Sequence, residues 1–536
     1  MTQPTRAADL VAKRLYEAGC RHAFGMPGGE VLTIIDALEQ AGIEFILCKH
    51  ENAAGFMAEG AHHVNGAPGI LVATVGPGAM NGVNVVANAH QDRVPMIVLT
   101  GCVDADEALT YTHQVLDHRA VFDEITKATF TLTAEGADII ADKAVGIATE
   151  GREGPVHIDV PISIADAEAA PKLRRRPAAS PTVPAPDDLA LAARWLSEAK
   201  RPVIVAGLDV LKDGSAAVLQ DFAETRGIPV VTTYKAKGVL PEDHPLCLGG
   251  AGLSPLADKH LLPFVQAADL VMCVGYDPIE MRPGWREVWD PDKTRVIDIA
   301  AVPNDHYMHQ AGLNFVADTG ATLTAMDSAE RPAIWQGGEI AQVQKALGAV
   351  FPRDEAWGPG AVIALCNEVL PKDTIASVDS GAHRILLSQM WRCYQPKGLV
   401  QSTALCTMGC ALPLAMGAKY ADPKRTVVSF SGDAGFLMFA GELSTAAEHG
   451  LNTIFVVFVD ASLALIELKQ RQRQMANRGV DFGRHDFASI GQAFGGFGHT
   501  VTNRDELRAA LQEAQSAETF TVIAAVIDRN SYDGRI

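Results

Sequence analysis

The sequence predicts an α/β protein made of three doubly wound parallel-sheet domains, and three observations lead there. Uncharged runs rich in Val, Ile and Leu recur along the whole chain: "GILVATV" at 69–75, "MIVLTG" at 96–101, "PVIVAG" at 202–207, "LVMCVG" at 270–275 and "TVVSFSG" at 426–432. Runs of this kind, without polar alternation, are strands buried on both faces of a parallel sheet. They alternate with amphipathic helical patterns, the rhythm of strand–helix–strand units. Finally, 536 residues exceed what one hydrophobic core supports, and 48 glycines with only 6% aromatic residues suit folds with many tight strand-to-helix turns.

The domain divisions come from composition. "DAEAAPKLRRRPAASPTVPAPDD" around 166–188 and "DSAERPAIWQGGE" at 327–339 are rich in Pro, Ala and charge, and read as connectors. They predict domains at 1–170, 186–330 and 350–536, the first and third with a similar strand–helix rhythm. The N-terminal "MTQPTRAADLVAKRLYEAG" lacks an apolar centre and reads as an amphipathic helix rather than a signal peptide. No run approaches the roughly 20 apolar residues of a membrane span. A net charge of −19 argues against general affinity for nucleic acid or anionic membrane, and the basic run "KLRRRP" reads as a solvated linker. Nine cysteines without a CxxC pair, with no His at zinc-ligand spacing from Cys406 and Cys410, predict buried thiols in a reducing compartment. The expectation is a cytoplasmic protein.

The third segment carries the most specific chemistry. "FSGDAGF" places Asp433 directly after one strand-like run, and "TIFVVFVDAS" places Asp460 directly after the next. Parallel sheets bind ligands at the carboxyl edge of their strands, so both acids fall where a ligand would sit. Two such carboxylates suit one Mg²⁺, whose remaining oxygens a diphosphate commonly supplies, with nearby glycine amides as donors. On spacing alone, two acids capping helices account for the pattern equally well. "TVGPGAMNG" at 74–82 lacks the Gly-Lys-Ser/Thr ending of a nucleotide phosphate loop.

The G-D-x-G turn followed by Asp460 resembles the cofactor motif of the thiamine diphosphate enzyme superfamily, and the wider pattern is similar to acetolactate synthases, nearest to the catabolic, flavin-free type. "FGMPGGEVLTIIDAL" (24–38) and "CKHENAAGFMAEG" (48–60) are similar to that family's pyrimidine-binding domain. The resemblance implies pyrimidine-binding, central and diphosphate-binding domains in that order. It implies Glu51 as the catalytic carboxyl group on the cofactor's aminopyrimidine, with His113 and Gln114 of "THQVLDH" facing the reacting carbon. Metal ligands implied are Asp433, Asp460 and the Ser462 main chain. Cofactor contacts implied are Pro27, Gly28, Gly76 and Asn81 in the first domain and Ser380, Gly381, His383, Met408, Gly432, Ala434, Gly435 and Leu463 in the third. Met408 would be the bulky wedge between the two cofactor rings. Thiamine diphosphate and Mg²⁺ are thus the expected cofactors; "VGYDPIEMRPGW" at 274–285 does not favour the FAD of the biosynthetic enzymes. In that family the cofactor lies between the first domain of one subunit and the third domain of another, so the resemblance implies a homodimer or homotetramer with active sites at the subunit interface.

The reaction follows from what the resemblance leaves out. Pyruvate decarboxylases of the superfamily carry an Asp in the first glycine turn, a His-His pair and a Glu on the helix after the metal loop, whereas this chain has Gly29, His113-Gln114 and Ile466 at the matching positions. That favours a carboligase, acting on a small 2-oxo acid and a carbonyl acceptor, over an aldehyde-releasing decarboxylase. Leu463, Leu465 and Ile466 make the expected acceptor wall apolar.

Overall fold

The computed structural model describes residues 5–172, 177–326 and 335–536; the centre of "KLRRRP" and the first eight residues of the second connector lie outside the described residues. The described chain folds around three six-stranded sheets. The first comprises β1 (His22–Met26), β2 (Glu44–Leu47), β3 (Gly69–Ala73), β4 (Met96–Cys102), β5 (Ala128–Thr131) and β6 (Pro155–Pro161). The second comprises β7 (Pro202–Ala206), β8 (Val230–Thr233), β9 (Cys247–Ala251), β10 (Leu270–Val274), β11 (Arg295–Ala300) and β12 (Leu313–Val316). The third comprises β13 (Ile375–Val378), β14 (Leu399–Gln401), β15 (Val427–Gly432), β16 (Ile454–Val459), β17 (Phe497–Val501) and β18 (Thr521–Val526).

The first and third sheets share one topology, β2-β1-β3-β4-β6-β5 and β14-β13-β15-β16-β18-β17, which gives structural content to the similar rhythm of those segments. The middle sheet is different, β12-β11-β10-β7-β8-β9. Pairings such as β3–β4 and β15–β16 are parallel throughout their registers.

Burial explains why these segments are strands. Every residue of β3, β7, β10 and β16 is buried, and each buried Val, Leu or Ile contributes about 1.5–3 kcal/mol. The sheet edges, by contrast, carry mixed patterns, half-exposed in β5 and alternating in β12. The N-terminal amphipathic pattern forms the helix Ala7–Glu17, with Leu10, Val11 and Leu15 on its buried side.

The first and third domains are joined by two crossing helices, Glu51–Asn65 and Ala411–Ala421. A Cβ on Gly60 would overlap the Leu414 carbonyl, and one on Gly417 the Met57 carbonyl, so glycine at both positions lets the two backbones touch. Among the described residues no helix is long and apolar enough to cross a membrane.

Candidate functional site

Strands β15 and β16 are neighbours, with Gly432 in register with Phe458, so the residues that follow them emerge side by side. Asp433 opens the short helix Asp433–Met438, where its Oδ1 accepts the Ala434 amide (2.8 Å). Its Oδ2 accepts the amides of Asp460 (3.2 Å) and Ala461 (2.7 Å). Ala461 holds the left-handed conformation (φ 56°), unusual for alanine, that turns its amide onto the carboxylate. Asp460 Oδ1 in turn accepts the Ser462 amide at 3.0 Å.

Burial pushes the Asp433 carboxyl up; it pushes Asp460 up to about 7, with the charge of Asp433 as the next cause. Arg529, whose charge acts on Asp460, is itself bound to Asp481 at 2.5 Å. Two desolvated carboxylates at one edge are a donor set for a hard divalent cation.

The edge opens into a cavity of about 150 Å³. Every third-domain residue singled out in the sequence lines it: Ser380, Gly381, His383, Met408, Gly432, Asp433, Ala434, Gly435, Asp460, Ser462 and Leu463. Leu465 and Ile466 form part of the same wall. His383 is stacked on Phe458 (centroids 5.5 Å apart), and its Nε2 is buried without a hydrogen-bond partner. Burial, then Arg384, pulls its pKa down to about 3, so the ring is neutral, with one N–H and one acceptor nitrogen.

Two lining residues, Phe458 and Tyr532, were not legible in the sequence. Phe458 reads as one more apolar residue of a strand. Tyr532 comes from the C-terminal segment, far from every motif, and burial next to Asp460 and Asp433 raises its hydroxyl well above the ordinary range.

A second group forms at the carboxyl edge of the first sheet. Glu51 is the first residue of its helix and is buried; its Oε2 accepts the Asn81 amide at 2.9 Å. The helix start is docked on the third domain, where Glu442 Oε1 accepts the amides of Lys49 (2.8 Å) and His50 (3.0 Å). Gly76 caps the helix Pro77–Asn81 with φ 63° and donates its amide to His118 Nε2 at 3.1 Å. His118 Nδ1 faces Asp159 Oδ1 at 2.9 Å, a carboxylate that also accepts from Thr100 (2.6 Å). Burial pushes Asp159 up, but hydrogen bonds from His118, His157 and Thr100 outweigh it and hold the carboxyl below its usual range. This brace fixes the glycine turn, and nothing in the local sequence marks His118 or Asp159 as its parts.

Pro27 and Gly28 follow β1, with Gly28 against Thr74, whose hydroxyl donates to Glu30 at 2.6 Å. Gln114 abuts Gly76 with φ 59°, and both it and His113 are exposed. None of these first-domain residues lines the third-domain cavity. The residues singled out in the sequence thus fall into two groups, on sheets of identical topology.

Comparison with known proteins agrees with this arrangement. Residues 5–121 match the family described as "Thiamine pyrophosphate enzyme, N-terminal TPP binding domain", 189–326 its central domain and 379–525 its C-terminal TPP binding domain. Among curated proteins, the chain is 30% identical to "Acetolactate synthase" of Bacillus subtilis (strain 168), over 98% of this chain and 93% of that protein. It is 31% identical to "Probable acetolactate synthase large subunit" of Methanocaldococcus jannaschii, over 98% and 92%. It is 27% identical to "Acetolactate synthase, catabolic" of Raoultella terrigena, over 98% and 96%. With the paired carboxylates, the glycine turns and the threefold domain plan all carried on one chain, this protein belongs to the thiamine pyrophosphate enzymes, as a member of the acetolactate synthase kind.

Proposed function

We propose that the protein is a thiamine diphosphate-dependent carboligase that decarboxylates a small 2-oxo acid and joins the remaining acyl unit to a second carbonyl compound. The observation that carries this reading is the wall of the third-domain cavity, where Leu463, Leu465 and Ile466 stand without a carboxylic acid among them. Of the ionisable groups on the lining, Asp433 and Asp460 are committed to the metal in this reading, His383 is neutral, and the Tyr532 hydroxyl is raised in pKa. A reactive acyl unit held there meets an apolar surface that excludes water and admits a carbonyl acceptor. The relatives named acetolactate synthase support the same reading.

The residues fit the expected cofactors. Asp433, Asp460 and the main chain at Ser462 would hold Mg²⁺, and the unpartnered His383 Nε2 and the amides of the Gly432–Gly435 turn would face a diphosphate. When bound, thiamine diphosphate supplies the carbon nucleophile and electron sink that a 2-oxo acid decarboxylation requires. Glu51, braced by Asn81, holds and moves the proton that activates it. Met408 lines the cavity, and Gln114 lies beside the Gly76 turn with His113 next to it in the chain.

Glu51 and the metal acids occupy different half-sites, so we place a complete site between two copies of the chain. Leu109 (84% exposed), Tyr111, Val115 and Leu116, on the loop that carries Gln114, give that contact an apolar face.

The deciding experiment gives the purified enzyme thiamine diphosphate, Mg²⁺ and a panel of 2-oxo acids with keto or aldehyde acceptors, and identifies products by mass spectrometry. Ligated hydroxyketo products are expected. Free aldehyde as the main product with every acceptor would establish the decarboxylase alternative.

A further inference from the structure

The central domain holds a cluster of side chains of metal-ligand type, remote from the acids at 433 and 460 in sequence and carried by a different sheet. Asp298 lies on β11, and the loop after that strand brings back Asn304, His306 and His309. Asp298 Oδ2 is 2.9 Å from His309 Nε2 and accepts the Asn304 side-chain amide at 2.8 Å. One ligand atom from each of Asp298, His306 and His309 lies within 4.8 Å of the others.

An ion pair between Asp298 and His309 leaves parts of this cluster unexplained. Asp298 is 1% exposed, yet its Oδ1 has no hydrogen-bond partner among the described residues, at a cost of about 1–3 kcal/mol for a buried acceptor. His306 stands against His309 with ring centroids 4.9 Å apart, held by one local bond from the Met308 amide to its Nδ1 (3.0 Å). Two imidazoles side by side repel each other when protonated, but both are good ligands when neutral. A cation taken by both carboxylate oxygens would satisfy Asp298 Oδ1, and His306, only partly buried, leaves a path for entry. The Asn304 side chain, 3.1 Å from His309 Nε2, offers a carbonyl oxygen after rotation of its amide.

We propose that Asp298, His306 and His309 bind one divalent transition metal of the Zn²⁺ class, as a structural cation of the central domain. The donor set separates it from the Mg²⁺ site: two imidazoles with a carboxylate select Zn²⁺ or Co²⁺, whereas an all-oxygen edge selects Mg²⁺. Its place in the fold gives the metal something to stiffen. The Ala301 amide that opens the loop donates to Asp209 (2.8 Å), and Asp277, whose charge acts on His306, is bound by Arg93 of the first domain at 3.0 Å.

The test uses tag-free full-length protein, stripped with chelator and returned to saturating Mg²⁺ and thiamine diphosphate, then titrated with Co²⁺. One equivalent per chain is expected to give the intense visible bands of tetrahedral Co²⁺, with no sulfur-to-metal band from the exposed Cys406. Zn²⁺ is expected to abolish these bands and raise the thermal midpoint. His306→Ala, at a partly exposed position, should fold with unchanged turnover yet bind Co²⁺ at least about tenfold more weakly; His309→Ala should lose the bands. Absence of the bands in the parent, or bands and a midpoint shift unaltered in His306→Ala, overturns the proposal.

Discussion

The wholly buried carboxylate of Asp379 accepts the amide of Gly409 at 2.7 Å, directly after Met408. The same oxygen accepts the Ser380 amide at 2.9 Å, while Oδ2, without a partner, lies where a Cβ on Gly435 would be. One side chain therefore fixes three segments of the cavity: the loop at 380, the turn at Met408 and the Gly432–Gly435 turn. Asp379→Ala leaves two amides unsatisfied at about 1–3 kcal/mol each. A cofactor titration followed by turnover should show affinity lowered about tenfold or more, with much of the rate recovered at saturation. Unchanged cofactor affinity would show that Asp379 braces nothing.

Gly435→Ala tests the same contact from the other side. The added methyl meets Asp379 Oδ2, and overpacking of this kind costs about 1–3 kcal/mol. Combining Gly435→Ala with Asp379→Ser should recover part of the loss, which a double-mutant cycle on the unfolding midpoint measures. Strict additivity of the two effects would place the clash elsewhere.

Glu51→Gln keeps the size of the side chain and the hydrogen bond from Asn81 but removes the proton carrier. Turnover should fall by about 10²–10⁴, with cofactor affinity little changed. Parent-like rates across the substrate panel would falsify the role given to Glu51.

Ile466→Glu introduces an acid into the apolar wall. Delivery of a proton there should raise the proportion of free aldehyde over ligated product, read by headspace gas chromatography beside mass spectrometry. An unaltered product ratio would mean that this wall does not decide the fate of the acyl unit.

His62 supplies a pH test. Burial, followed by Lys397, pulls its pKa down to about 3, and its Nδ1 meets the Ala67 carbonyl at 2.9 Å. The unfolded ring protonates near 6.5, so below that pH the unfolded state binds more protons and stability falls. From pH 7 to pH 5 the contribution is about 2 kcal/mol. His62→Gln should flatten the difference between denaturant unfolding curves at these two pH values by about that amount. Equal slopes for variant and parent would show that His62 does not titrate on unfolding.

The sequence by itself determined the fold class and singled out the third-domain residues that line one cavity. Strands such as β3 and β16 are legible because burial on both faces demands an unbroken apolar run, a property of adjacent residues. Asp433 and Asp460 are legible because each follows such a run directly, and strand ends of parallel sheets lie at one edge. Tertiary structure alone decided what depends on which strands become neighbours. The His118–Asp159 brace behind Gly76 spans the end of β6 and a loop after β4. Tyr532 reaches the cavity because the last strand, β18, lies beside β16. Asp298 meets His306 and His309 because the loop after β11 folds back over its own strand. These contacts are set by packing between segments without a shared period, so no local pattern announces them. The division of the candidate residues into two groups is of the same kind: each carboxyl edge is written in its own segment, but their separation is a property of the folded chain.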